Sequence, residues 1–230
     1  MFLDPLYIMM IVPTFLLSLF AQIKVKSSYK RYSQIPTSRG VTGAQAARLI
    51  LDAQGIRDVS IELGSGFLSD HYDPRSRVLR LSESVYAGDS LASVGIAAHE
   101  AGHAIQHARG YMPLQLRSAL VPLSSLGSNL AWPLLLIGFI FMAKSLIIAG
   151  ILFFSLAVLF QLITLPVEFN ASSRALDALP ATGILTDMEV SGARKVLTAA
   201  ALTYVAAAAT SIVQLLYFLL RSGLLGGSDE

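Results

Sequence analysis

Ser145-Leu146-Ile147-Ile148-Ala149-Gly150-Ile151-Leu152-Phe153-Phe154-Ser155-Leu156-Ala157-Val158-Leu159-Phe160-Gln161-Leu162-Ile163-Thr164-Leu165-Pro166-Val167 carries no charged residue, and Lys144 and Glu168 close its two ends. A helix crosses the hydrocarbon core of a bilayer with about 20 apolar residues, so this run reads as a transmembrane helix. Outward from it, three further segments meet the same criterion: about Pro5 to Ile23, about Leu120 to Met142, and about Leu197 to Leu220. Four such segments predict a mainly α membrane protein with four transmembrane helices.

Composition agrees. The 230 residues are 54% hydrophobic and 14% charged, with mean hydropathy +0.62. A soluble domain is usually about one quarter charged, which places this chain in the membrane class. A net charge of +2 is too small to imply a nucleic-acid partner. The chain has no cysteine, so disulfides and thiolate metal sites are excluded. Any metal must be held by His, Asp or Glu.

The first span opens with Met1-Phe2-Leu3-Asp4, which lacks the basic residues of a signal peptide, and its basic residues follow it instead. It reads as a retained anchor with its N-terminus outside. Lys24, Lys26, Lys30 and Arg31 follow this span, and Arg109 and Arg117 precede the second. The positive-inside rule then places residues 24–118 in the cytoplasm. The turn at Lys144 falls outside, Arg174, Arg194 and Lys195 fall inside, and the tail Gly226-Gly227-Ser228-Asp229-Glu230 falls outside, with Arg221 an exception. The expected organisation is an anchor over 1–23, a cytoplasmic unit over 24–118, a transmembrane hairpin over 119–167, a helix and loop over 168–196, and a last transmembrane helix and tail over 197–230.

Within the cytoplasmic segment, Ala46, Leu49, Ile50 and Ala53 follow helical spacing, and Thr42 with Gln45 forms a capping box. Val59, Ile61 and Leu63 alternate with polar residues as in a half-buried strand, and Val78 to Leu81 is a second short strand. Gly64-Ser65-Gly66 and Asp73-Pro74 read as turns. Leu91 to Ala108 reads as a helix. Together these make one small α+β unit.

That last helix contains His99-Glu100-Ala101-Gly102-His103, an HExxH motif. Residues four apart share a helix face, so His99 and His103 can grip one metal ion, with Glu100 beside them as a base. This is the pattern of a zinc-dependent peptidase. Gly102 costs about 1 kcal/mol inside a helix relative to alanine. Either another backbone comes close there or the helix simply tolerates it.

A catalytic zinc usually has three protein ligands and one open position. His107 continues the four-residue spacing but lies about 12 Å along the axis from His99, too far to share the ion. It reads as a polar residue on the exposed helix end. Gln106 and Arg109 occupy the positions where a metzincin needs glycine and histidine, so that class is excluded. Glu168 is the preferred third ligand, because the hairpin returns it to the membrane side of the histidines. Asp177, Asp187 and Glu189 lie on the same side as lesser candidates.

His99-Glu100-Ala101-Gly102-His103 with Glu168-Phe169-Asn170-Ala171-Ser172 resembles the membrane-bound gluzincins, which include the heat-shock membrane protease and the CAAX prenyl protease. There, HExxH is followed after a membrane hairpin by Glu-x-x-Ala-Asp. His71-Tyr72-Asp73-Pro74 is similar to the YugP-like neutral zinc metallopeptidases, a resemblance covering nearly the whole chain. It implies one Zn2+ per chain held by His99, His103 and Glu168, Glu100 as catalytic base, and a gluzincin-like peptidase unit joined to a membrane bundle. Ser172 stands where the wider group has aspartate. This departure bears on a carboxylate partner at that position and not on the three ligands.

The expected activity is endopeptidase hydrolysis of a peptide or protein at the cell membrane, with the site on the cytoplasmic side. Zinc makes hydroxide available near neutral pH, and Glu100 carries the proton to the leaving amine. His71, Tyr72 and Tyr204 are candidates for stabilising the oxyanion, and Val78 to Leu81 for pairing with an extended substrate. Two alternatives stand beside this reading. One is an intramembrane site-2-type protease with Asp177 as third ligand, disfavoured because Asp89, Glu100, Gln106 and Arg109 break up the apolar run. The other is a non-catalytic scaffold with a structural zinc.

Overall fold

A computed structural model describes residues 4–66 and 69–224. The expected turn at Gly64-Ser65-Gly66 is within it, and the tail 226–230 lies outside the described residues. Ten elements run in the order α1 (Pro5–Tyr32), α2 (Gly43–Ala53), β1 (Ser60–Leu63), β2 (His71–Asp73), β3 (Val78–Leu81), α3 (Glu83–Tyr86), α4 (Leu91–Ala108), α5 (Met112–Ile140), α6 (Lys144–Ala181) and α7 (Asp187–Arg221). They pack as two units, one of residues 1–21, 116–165 and 203–230, the other of residues 22–115 and 166–202.

In the first unit, α1, α5, α6 and α7 supply the apolar lengths, and all four helices are long and apolar enough to cross a membrane. Each is longer than the apolar run that announces it. α6 does not stop at Pro166 but continues for more than four turns to Ala181. Neighbouring side chains compensate a proline inside a membrane helix, so it need not end there. Small residues bring α5 and α6 together: a methyl at Gly150 would lie 2.6 Å from Leu135 Cγ. Trp132 meets Phe154 and Phe218 edge-on over a core that includes Leu135, Ile151 and Tyr217. The Tyr217 hydroxyl donates to Asp4 at 3.1 Å, tying the start of α1 to the end of α7.

The second unit is α+β. Thr42 caps α2, and both halves of the box with Gln45 form. The buried face of α2 is Gly43, Ala46, Ala47, Ile50 and Leu51, and Leu49 and Ala53 turn outward. Ala46 and Ile50 of the expected stripe are buried, and Ala47 and Leu51 take the places expected of Leu49 and Ala53, on a face where Gly43 packs so closely that a methyl there would meet the Val85 carbonyl oxygen. The sheet has the order β1-β3-β2, with β1 parallel and β2 antiparallel to β3. β2, which sequence patterning did not reveal, has only three residues, too few for an alternation to show. Asp73 ends it, and its carboxylate accepts from Arg75 N and Ser76 Oγ in the turn leading to β3.

Two strand expectations are corrected. Leu63 is 60% exposed. α2 reaches the beginning of the strand, where Arg48 donates to the carbonyls of Ile56 and Val59, and leaves Leu63 uncovered. β3 lies in the middle of the sheet with both edges paired, so it has no free edge on which an extended peptide could add. Within the sheet the outer edges belong to β1 and β2. α4 begins at the cap Ser90, whose Oγ accepts from Ser93 N, and is buried along most of its length.

Candidate metal centre

The site is built where α4 meets the last turns of α6. Glu168, Ala171 and Ser172 are spaced i, i+3 and i+4, so they share one face of α6. The middle one sets the distance: a methyl at Gly102 would lie 2.5 Å from the Ala171 carbonyl oxygen and 3.2 Å from its Cα. Only glycine permits that approach, which settles the open reading of Gly102 in favour of a close backbone. Around this contact Glu168 and Ser172 reach the metal-bearing face of α4 from two successive turns.

Glu168 Oε2 is 3.2 Å from His99 Nε2 and 3.6 Å from His103 Nε2. One ligand atom from each of the three residues lies within 4.8 Å of the others. His103 and Glu168 are buried and His99 partly so. In a tetrahedral site with ligand bonds of about 2.0–2.1 Å, donor atoms stand about 3.3 Å apart. The two measured separations bracket that value. Two imidazoles and one carboxylate also match the donor set of a catalytic zinc in a chain without thiolates. The residues fit the metal.

The imidazoles are held from behind. Ser172 Oγ lies 3.0 Å from His99 Nδ1. Gln106 Oε1 lies 3.0 Å from His103 Nδ1. Both partners are neutral, and both point the Nε2 atoms at Glu168. Burial opposes a charge on His103, but the Glu168 and Glu100 carboxylates outweigh it and raise its pKa above the ordinary value. Glu100 is itself buried, at 9% exposure, on the turn between the two histidines.

Other candidates fall elsewhere. Asp177 and Asp187 are exposed and outside the three-residue cluster. Glu189 is occupied as a cap, accepting from the backbone N–H groups of Ser38 and Thr186. His107 is not simply an exposed end residue: its Nδ1 lies 2.8 Å from the Tyr72 hydroxyl, because β2 packs against α4 one turn past His103. Burial pushes the Tyr72 phenol up to about 12, so it stays neutral. His71 is exposed, with Nδ1 against the Ser69 carbonyl. Tyr204 belongs to the first unit. Gln106 and Asn170 escaped the sequence reading as site residues, and the only signal for them is an amide side chain shortly past a ligand, three residues after His103 and two after Glu168.

A family described as "Putative neutral zinc metallopeptidase" matches residues 7–223. The chain belongs to this family. A relative from Bacillus subtilis (strain 168), described as "Putative membrane protease YugP", is 48% identical over 225 residues, which are 98% of this chain and 99% of the relative. No solved structure matches. Zinc is the metal of the family, and the His99, His103 and Glu168 group could hold it.

Proposed function

We propose that this member of the zinc metallopeptidase family is a membrane-embedded endopeptidase, with His99, His103 and Glu168 as zinc ligands and Glu100 as general base. The observation that carries the reading is the convergence of the three donor atoms within 4.8 Å beside a buried Glu100. Zinc bound there would supply Lewis acidity, making water a nucleophile near neutral pH and polarising a substrate carbonyl. Glu100 takes the proton of the attacking water and passes it to the departing amine nitrogen. Ser172 and Gln106 hold the imidazoles so that their Nε2 atoms keep facing Glu168. Beside the histidine helix, the partly buried Tyr72 of β2 contacts His107, one turn past His103.

The basic residues Lys24, Lys26, Lys30 and Arg31 lie at the end of α1, which supports a cytoplasmic site under the positive-inside rule. Against an intramembrane protease, α4 is not among the four helices of membrane length and apolarity, and Asp177 is exposed. The deciding experiment is Glu100→Gln in purified protein. Peptide hydrolysis should fall at least 100-fold while bound zinc stays at the wild-type level. A variant that hydrolyses peptides at the wild-type rate refutes the general-base role, and a zinc-loaded wild type without peptidase activity leaves a structural zinc scaffold.

A further inference from the structure

Gln106 lies one turn past His103 on α4 and is fully buried. Its carboxamide makes three contacts. Oε1 is 3.0 Å from His103 Nδ1, and Nε2 is 2.8 Å from the Val167 carbonyl oxygen and 3.0 Å from Asn170 Oδ1. Arg174 Nε lies 2.7 Å from that same Asn170 oxygen.

The direction of every hydrogen bond in this chain follows from its ends. A guanidinium only donates, so Asn170 turns its oxygen toward Arg174. That oxygen and the Val167 carbonyl only accept, so Gln106 must give its NH2 group to both. Its own oxygen is then left facing His103, where it needs a donor. A neutral imidazole carries one hydrogen, and here Nδ1 must hold it. The lone pair then sits on Nε2, the nitrogen that faces Glu168.

We propose that Gln106 is a positioning residue that holds His103 in the Nδ1-protonated tautomer, through a buried hydrogen-bond chain oriented by Arg174 and the Val167 carbonyl. The inference rests on the metal-site reading above for its functional meaning, though the tautomer itself is a property of the metal-free chain. His99 differs. Its Nδ1 partner is the Ser172 hydroxyl, which donates or accepts equally well, while its Nε2 lies 3.2 Å from the Glu168 carboxylate, which only accepts and so draws the ring hydrogen of the metal-free chain to Nε2. One ligand is prepared for metal before binding, and the other adjusts as metal arrives.

The chain has only four histidines, so 15N-histidine spectra of the full-length protein in detergent micelles resolve the question directly. The metal-free protein is recorded at alkaline pH, where the rings are neutral, with His103→Asn identifying the His103 signals. The wild type should show His103 protonated on Nδ1. Gln106→Leu should lose that preference and bind zinc at least tenfold more weakly in chelator competition. Asn170→Asp keeps oxygen toward both Arg174 and Gln106, so it should retain the tautomer and stay within about threefold of wild-type zinc affinity. A wild-type His103 protonated on Nε2 overturns the proposal, whatever the variants do. So does a Gln106→Leu protein with wild-type tautomer and zinc affinity. If Gln106→Leu does not fold, the wild-type and Asn170→Asp spectra decide. A wild type that binds no zinc refutes the proposed function instead, and the spectrum still judges the tautomer.

Discussion

Gly102→Ala places one methyl group where α4 and α6 are closest. The added carbon would sit 2.5 Å from the Ala171 carbonyl oxygen, 3.1 Å from its carbon and 3.2 Å from Cα. All three are backbone atoms, so no side chain can swing away. Ordinary contact begins at 3.4 Å, so the two helices must part locally by about 0.9 Å. Glu168 and Ser172 flank Ala171 and move with it. Their present contacts with His99, 3.2 and 3.0 Å, would stretch to about 4 Å, beyond hydrogen-bond reach. Overall stability should change little. Alanine gains about 1 kcal/mol of helix propensity, which partly offsets an overpacking cost of about 1–3 kcal/mol. The damage therefore concentrates in the metal site. Zinc affinity, measured by chelator competition, should fall at least tenfold, while the unfolding midpoint of the metal-free protein shifts by only a few degrees. A Gly102→Ala protein that binds zinc within about threefold of the wild type would refute the claim that this contact sets the ligand geometry.

Removing the carboxylate ligand should be more severe: Glu168→Gln should yield zinc-poor, inactive protein, whereas Asp177→Asn should keep its metal, and the reverse pattern in zinc analysis would move the third ligand to Asp177. Zinc binding should also depend on pH with a definite sign. A ligand ring must be neutral, and the carboxylates around His103 raise its pKa in the metal-free protein, so affinity should be full at alkaline pH and begin to fall above pH 6.5 as protons compete. Affinity that stays flat down to about pH 6 would contradict that environment. For topology, the absence of native cysteine makes single-cysteine labelling unambiguous. In intact cells Ser38→Cys should resist an impermeant thiol reagent and Lys144→Cys should react, and labelling of Ser38→Cys from outside would overturn the cytoplasmic placement.

Much of this protein is legible one residue at a time. Four apolar runs of membrane length, the Thr42–Gln45 capping box, the Leu91–Ala108 helix and the four-residue spacing of His99 and His103 are all local patterns, and each appears in the structure as read. They are legible because helix periodicity and capping act over one or two turns. Glu168 is expected beside the histidines by a longer argument, in which two crossings would return the chain to the side it left, and the structure brings the three residues together. What only the tertiary structure decided depends on which surfaces meet. The outward turn of Leu49, the central place of β3 and the existence of β2 follow from packing between elements distant in sequence, to which a three-residue strand contributes no pattern. The same holds around the metal centre. Ser172 becomes an imidazole partner, and His107 the partner of Tyr72, only because Gly102 lets Ala171 approach and β2 lies against α4, while Gln106, a neighbour of His103 on the same helix, is bonded in turn to Val167 and Asn170 of α6. Spacing along one helix determines which residues can share a metal, but the orientation of their rings rests on hydrogen bonds that reach α6, directly through Ser172 at His99 and by way of Gln106 at His103.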